Sequence, residues 1–295
     1  MMAEETPVAT VTTAEDLQVQ LVLARQEGQK VGFVPTMGGL HAGHSSLMRA
    51  SVAACDFTVV SIYVNPLQFA PSEDLATYPR DFAADSVLCA TQGVDLIFCP
   101  SVEEMQKALL DTSAPASEMA GLWEGVTRPD HFAGVTTVVA ALFSLVGSCQ
   151  AFFGEKDFQQ LAVVHQLVQD LNLPVSVVGC PTWREIDGLA LSSRNVYLTA
   201  AQRAQAPVLY QALKVGADLI TSGATKRLKV EAAMTEILKT ADALVVDYCA
   251  VVDPQSLQPV EAFKTDTRLL VAGRFGATRL LDNRAVQEGE RYGSC

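Results

Sequence analysis

The stretch VGFVPTMGGLHAGH (residues 31–44) decides how the chain folds. Its first five residues are apolar or aromatic and end at Pro35, which predicts a short buried strand. A glycine turn follows, and beyond it Leu47, Ala50 and Ala54 recur at helical spacing. The same alternation continues downstream. FTVVSIYV (57–64), VDLIFCP (94–100), QAFFG (150–154) and VSVVG (175–179) predict four more strands, with helical segments at 81–92, 134–147 and 157–171. Continuous apolar strands separated by helices imply a parallel sheet covered on both faces. The expected class is α/β, with a Rossmann-like, doubly wound parallel sheet over residues 1–182.

After residue 182 the pattern changes. Helical stretches at roughly 200–222 and 229–242 precede three closely spaced strands, DYCAVVD (247–253), TRLLVAG (267–273) and ATRLLDN (277–283). That order predicts a smaller C-terminal α+β domain with an antiparallel sheet, residues 183–295. A length of 295 residues agrees with two domains at about 150 residues each. No repeat or low-complexity linker interrupts the chain. Residues 1–12 and EGERYGSC (288–295) read as loose tails.

Lys plus Arg is 21 and Asp plus Glu is 33, a net charge of 21 − 33 = −12. An acidic chain with no basic block is poorly suited to gripping a nucleic-acid backbone or an anionic membrane, while a small phosphorylated ligand needs only a few local cations. The longest apolar-looking run, 133–147, contains Thr136, Thr137 and Ser144 and falls short of the roughly 20 residues a membrane span needs. The N-terminus is acidic and has no secretory pattern. Seven cysteines are scattered with no CxxC pair, which argues for reduced, mostly buried thiols. The expectation is a soluble, cytoplasmic protein without nucleic-acid or membrane partners.

Four segments could carry chemistry. In Pro35-Thr36-Met37-Gly38-Gly39-Leu40-His41-Ala42-Gly43-His44, two glycines allow close backbone approach and the helix start offers N–H groups to an anion. His41 and His44, two of only four histidines, share one side of the first helical turn, where imidazoles can donate to a polyphosphate. A His-x-x-His pair could also hold zinc, but no third ligand stands at a suitable spacing. Gly154-Glu155-Lys156-Asp157 follows another strand. Lys156 stands at the sheet's carboxyl edge without Walker A spacing, and Gln159 or Gln160 follows as an amide donor. Arg184 to Asn195 lies at the boundary of the two expected domains. There Ser192, Ser193 and Arg194 suit phosphate contacts, though a solvated linker explains the stretch too. Asn65 and Gln68, after the second strand, could orient hydroxyl and carboxylate oxygens, or simply end the strand. His131 reads equally as a helix entry, and His165 as a packed mid-helix residue.

Together PTMGGLHAGH (35–44), YVNPLQF (63–69), YPRD (78–81), RPDHFAGV (128–135), FFGEKDFQQL (152–161), REIDGLALSSRN (184–195) and RFGATRLLDN (274–283) closely resemble the pantothenate synthetase family, also called pantoate–β-alanine ligase. The seven motifs stand in the family's order across nearly the whole chain. The resemblance places the chain among the cytidylyltransferase-like nucleotidyltransferases and implies that (R)-pantoate and ATP, with Mg²⁺, form pantoyl adenylate, which β-alanine then converts to pantothenate and AMP. It implies an ATP site lined by Pro35 to His44, Gly154 to Asp157, Trp183, and Leu191, Ser192, Ser193 and Arg194. His41, His44, Lys156 and Arg194 would stabilise charge at the phosphates. Gln68, Gln160 and Asn65 would bind pantoate or β-alanine. The metal ligands stay unassigned, and a homodimer is implied. Trp183, Ile186, Leu191 and Ser148-Cys149-Gln150 depart from the residues frequent in the family. Two other readings remain: a nucleotidyltransferase for a different acid, and a non-catalytic nucleotide-binding module.

Overall fold

A computed structural model describes residues 8–71, 73–110 and 117–289. They form two compact units. One runs through Glu155 and resumes over Val163–Cys180; the other takes Lys156–Ala162 and the chain from Pro181.

The first unit carries strands β1 (Ala9–Val11), β2 (Val31–Thr36), β3 (Phe57–Ile62), β4 (Leu96–Phe98), β5 (Cys149–Gly154) and β6 (Val175–Cys180). They pair in the order β1-β4-β3-β2-β5-β6, and every pairing is parallel. Helices α1 (Ala14–Gln26), α2 (Ala42–Ala54), α3 (Phe82–Thr91), α4 (Val102–Leu110), α5 (Glu124–Thr127) and α6 (His131–Val146) join them, and α7 (Phe158–Asp170) leads into β6. The four inner expected strands are buried, as their continuous apolar runs require: Phe33, Val34, Val59, Val60, Ile97, Phe98, Ala151 and Phe152 are all core residues, whereas β6 at the sheet edge is buried only at its ends. Phe143 of α6 meets Phe33 and Phe153 edge-on, each at 6.3 Å between ring centroids.

Four elements escape the sequence reading: β1, α1, α4 and α5. Ala9–Val11, expected in a loose tail, pairs with β4 as an edge strand. Three residues are too few for any alternation to show; residues 1–7 lie outside the described chain. Helix α1 was not expected either. Its buried face is Leu17, Leu21 and Ala24, but Val19, Val22 and Leu23 are exposed, so apolar residues occupy both sides and blur the period. Its cap was legible: the Thr13 hydroxyl accepts the Asp16 N–H at 3.1 Å, with Glu15 and Asp16 in the first turn.

The second unit holds α8 (Ala200–Gln205), α9 (Val208–Thr221), α10 (Arg227–Leu238) and an antiparallel sheet of β7 (Leu244–Val252), β8 (Arg268–Phe275) and β9 (Thr278–Ala285). The single helix expected over 200–222 is two, because Pro207 has no N–H to continue the ladder and its ring crowds the preceding turn. At the other expected tail, the Glu288 carboxylate accepts the Ala285 N–H at 2.8 Å; residues 290–295 lie outside the described chain. Among the described residues no helix is long and apolar enough to cross a membrane.

A buried ion pair ties this unit together. Arg184 donates to both carboxylate oxygens of Asp282, at 2.6 and 3.0 Å, and also to the carbonyls of Gly188 and Asn283. Its guanidinium lies 4.0 Å over the Tyr210 ring. Both partners are almost fully buried, at 3% and 2% side-chain exposure, so removing one strands a charge. Arg184→Met should lower unfolding stability by about 3–5 kcal/mol in urea titration. A loss under about 1 kcal/mol would show that the pair does not hold this unit together.

Candidate functional site

Strands β2 and β5 are neighbours at the point where the sheet reverses its order: β2, β3 and β4 step one way, and β5 and β6 the other. Ligands of open α/β sheets bind beyond the carboxyl ends of strands at such a point. The end of β2 carries the Thr36–His44 turn. Gly38 and Gly39 both adopt positive φ, +82° and +62°, a conformation costly for residues with a Cβ. Thr36 Oγ1 donates to the Ser61 carbonyl at 2.7 Å and accepts the Gly38 N–H at 3.3 Å. The next two N–H groups, of Gly39 and Leu40, donate to the two carboxylate oxygens of Asp85 at 3.0 and 2.8 Å.

Asp85 stands in the first turn of α3 at 4% exposure. Burial pushes its carboxyl above the ordinary carboxylate range, and the two N–H donors pull partly back. The sequence reading placed a helix here but missed this residue. A single acid on a buried face leaves no periodic signature, and its partners lie more than forty positions away.

The start of α2 is closed by its own histidines. His41 is the N-cap, and its Nδ1 accepts the Gly43 N–H at 3.1 Å; His44 Nδ1 accepts the His41 N–H at 3.2 Å. A backbone N–H can only donate, so both Nδ1 atoms keep their lone pair and the neutral rings carry hydrogen on Nε2. The rings lie 4.2 Å apart, centroid to centroid. The tautomer so fixed puts an N–H on each ring beside the helix start's backbone dipole, chemistry that suits an anion, and commits both Nδ1 atoms to backbone N–H groups. Among the described residues no three His, Cys, Asp or Glu side chains gather as a metal site.

The 65–68 turn is built differently from expectation. Asn65, anticipated as a substrate contact, is turned inward at 3% exposure. Its Oδ1 accepts the Leu67 N–H, and its amide hydrogens go to Gln68 Oε1 and the Gly134 carbonyl, each at 3.0 Å. Asn65 thus orients Gln68, whose Nε2 is left toward Met37 Sδ at 3.0 Å. A Cβ on Gly134 would collide with the Leu67 carbonyl, so glycine lets the turn sit directly on α6.

The Gln68 carbonyl accepts from Arg128 Nη2 and His131 Nδ1, each at 3.0 Å. Arg128 is held by Glu73 at 2.6 and 2.7 Å, lies 3.4 Å from Glu124, and donates to His131 Nε2 at 3.2 Å. His131 is therefore more than a helix entry. A carbonyl only accepts and a guanidinium only donates, which fixes a neutral ring protonated at Nδ1. Burial, helped by the adjacent Arg128 charge, lowers its pKa from 6.5 to about 4. Arg128 and His131 are close in sequence, but Glu73 and the Gln68 carbonyl lie 55 and 60 positions from Arg128, so the network leaves no local trace.

In the second unit, Lys156 lies in a short 3-10 turn, Glu155–Asp157, with Nζ 3.3 Å from Asp157 Oδ1. Gln159, next on α7, is buried, whereas Gln160 is partly exposed. Residues 184–191 form a small hairpin. The Leu189 carbonyl accepts the Glu185 N–H, and the Trp183 carbonyl accepts the Leu191 N–H at 2.9 Å. Arg203 clamps it from outside, 2.6 Å from both Glu185 and Asp187. The Leu191 side chain, expected beside ATP, is buried at 3% exposure. Ser192, Ser193 and Arg194 come next, half-buried, with Ser192 Oγ accepting the Arg194 N–H at 3.3 Å.

The switch point and the histidine-closed helix start define a doubly wound α/β protein with a glycine turn whose chemistry suits an anion. Within that class the chain belongs to the pantoate-beta-alanine ligase family, whose family model matches residues 9–285. It is similar to the bifunctional pantoate ligase/cytidylate kinase of Synechococcus elongatus, 48% identical over 260 residues. That match covers 87% of this chain and 49% of the relative, so the chain spans about half that relative's length. Among solved structures it is similar to pantothenate synthetase of Thermus thermophilus, with a TM-score of 0.88, 46% identity, and 95% and 100% of the two chains covered. It also matches a pantoate-beta-alanine ligase of Francisella tularensis complexed with beta-gamma ATP and beta-alanine, with a TM-score of 0.74, 30% identity, and 96% and 99% covered.

His131 gives a pH signature whose sign is fixed. Its folded pKa lies below the unfolded value of 6.5, so the unfolded chain binds the proton first as pH falls. Its stabilisation is complete above about pH 6.5 and is lost down to about pH 4, on the order of 3 kcal/mol. His131→Asn should start less stable at pH 7 but lose less on acidification. Parallel stability curves for the two proteins from pH 7 to 4.5, by urea denaturation, would refute this.

Proposed function

We propose that the chain joins (R)-pantoate to β-alanine in two ATP-driven steps and so makes pantothenate, the precursor of coenzyme A. The observation that carries this reading is the pair of Nε2–H donors at the start of α2, in a chain that matches the ligase family over residues 9–285. The Francisella relative, complexed with beta-gamma ATP and beta-alanine, supports the same substrates.

In the first step the pantoate carboxylate, already ionised at pH 7, attacks the α-phosphorus of ATP. A carboxylate O–P bond forms, the bridge to the β-phosphate breaks, and pyrophosphate leaves. In the second, the β-alanine amine attacks the acyl carbon. An amide C–N bond forms, the acyl C–O bond breaks, AMP leaves and the nitrogen gives up a proton. No side-chain nucleophile is needed; the work is positioning and neutralising charge as two anions meet.

The roles follow from the chemistry of each group. The Pro35–His44 turn receives ATP, with His41 and His44 donating Nε2–H to the phosphates and His44 serving the α-phosphate. Lys156 supplies the principal cation and Asp157 meets the ribose. Ser192, Ser193 and Arg194 hold the departing phosphates, with Arg194 offering a planar fork. The Gln68 amide, oriented by Asn65, and Gln160 hold pantoate. ATP enters as its magnesium complex, an ion usually carried on substrate phosphates rather than in a protein cage. Within this reading residues 1–182 bind ATP and pantoate, residues 183–295 act as a lid, and the enzyme is a cytoplasmic homodimer.

A preorganised donor at developing charge is typically worth about 10²–10³ in rate, or roughly 3–4 kcal/mol. His44→Ala and Lys156→Ala should each slow adenylate formation by about that factor in single-turnover experiments, with the fold retained and, for His44→Ala, only the roughly 1 kcal/mol that a lost helix cap costs. Attack on preformed pantoyl adenylate should suffer less, since less charge develops at phosphorus. A loss of under about tenfold in the first step would remove that residue from its role.

A further inference from the structure

The motif RFGATRLLDN (274–283) has so far served only the fold, yet its last two residues reach both segments that meet phosphate in the proposed reaction. We infer that Asn283 is a positioning residue that sets the place of Lys156; this inference rests on the ligase reading of Lys156.

Asn283 lies on β9, paired with Leu270 of β8, and is buried. Its Nδ2 donates to the Lys156 carbonyl at 2.7 Å, and its Oδ1 accepts from Arg268 Nε at 2.7 Å. The carbonyl can only accept and the guanidinium can only donate, so the amide has one possible orientation. Arg268 also lies 4.1 Å over the ring of Phe158, the first residue of α7. Lys156 sits between these braces in a three-residue 3-10 turn, a conformation with weak hydrogen-bond geometry of its own. The strand thus supplies the rigidity that the turn lacks.

The neighbouring residue makes the same kind of contact to the other segment. Asp282 takes the bidentate pair from Arg184, at the root of the stretch that ends in Ser192, Ser193 and Arg194, and Asp282 Oδ1 also accepts the Asn283 N–H at 2.7 Å. One dipeptide therefore anchors both phosphate-facing segments of this unit to a single strand.

Asn283→Asp is nearly isosteric. It keeps an acceptor for Arg268 but sets a carboxylate oxygen against the Lys156 carbonyl, so the turn must shift. Displacements of about 1 Å cost on the order of 10²-fold in rate. In the full-length enzyme, Asn283→Asp should slow adenylate formation by about ten- to hundredfold, and by less than twofold when Lys156→Ala is already present. Asn283→Ala, which adds no charge, serves as the second variant should the aspartate disturb folding, and thermal melts accompany both. Equal losses in the two backgrounds would overturn the inference, since a general structural role does not depend on Lys156. So would a loss under threefold in the otherwise native enzyme. If Lys156→Ala alone loses less than tenfold, it is the ligase assignment of Lys156 that fails, and this inference fails with it.

Discussion

Two consecutive backbone N–H groups, of Gly39 and Leu40, donate into one buried carboxylate, that of Asp85, and the first unit's share of the proposed ATP site depends on that arrangement. A turn with two left-handed residues points its N–H groups away from any ladder, and buried amides need partners. Asp85 provides both at once, in hydrogen bonds that partly offset the cost of burying it. With the turn fixed, α2 begins at His41, and the two histidines cap it with their Nδ1 atoms. That cap in turn fixes the tautomer that leaves Nε2–H as the donor. A conformational requirement of two glycines is thereby converted into a directed pair of hydrogen-bond donors.

The same logic explains how a chain of net charge −12 would serve the proposed triphosphate and carboxylate substrates. Long-range attraction is not available to it, so in the proposed reaction affinity would come from short, oriented contacts: a helix start, two neutral imidazoles, Lys156 and Arg194. Oriented donors need rigid mounting, and the surrounding residues supply it. Asn65 aims the Gln68 amide, Arg128 and His131 hold the Gln68 backbone, and Asn283 braces Lys156. A preorganised donor requires no rearrangement as charge develops, which is where most of the proposed rate enhancement originates.

How much of this was legible beforehand divides along a physical line. The five strands of the first unit that the sequence predicts carry long apolar runs, and such runs declare themselves. So do Gly38-Gly39, His41, His44 and Lys156, because they follow strands directly. Arg184 and Asp282 stood inside quoted motifs, but their pairing spans 98 positions and has no local trace. Asp85 and Asn283 were invisible as functional residues for the same reason: each acts on the backbone of a distant turn. Asn65 was assigned by type, as an amide near a site, and only its hydrogen-bond partners reveal that it serves Gln68. Pro207 is plain in the sequence and divides the 200–222 stretch into α8 and α9, whereas β1 is too short to show.

The central claim is that a carboxylate, and no protein group, attacks the α-phosphorus of ATP. Pantoate labelled with ¹⁸O in its carboxylate tests it directly, in a reaction of the purified protein with magnesium ATP and β-alanine read by mass spectrometry. The account predicts that one ¹⁸O of the carboxylate appears in the phosphate of AMP, because the acyl C–O bond breaks on the carbon side when the amine attacks. Unlabelled AMP, or ADP and inorganic phosphate as products, would contradict it.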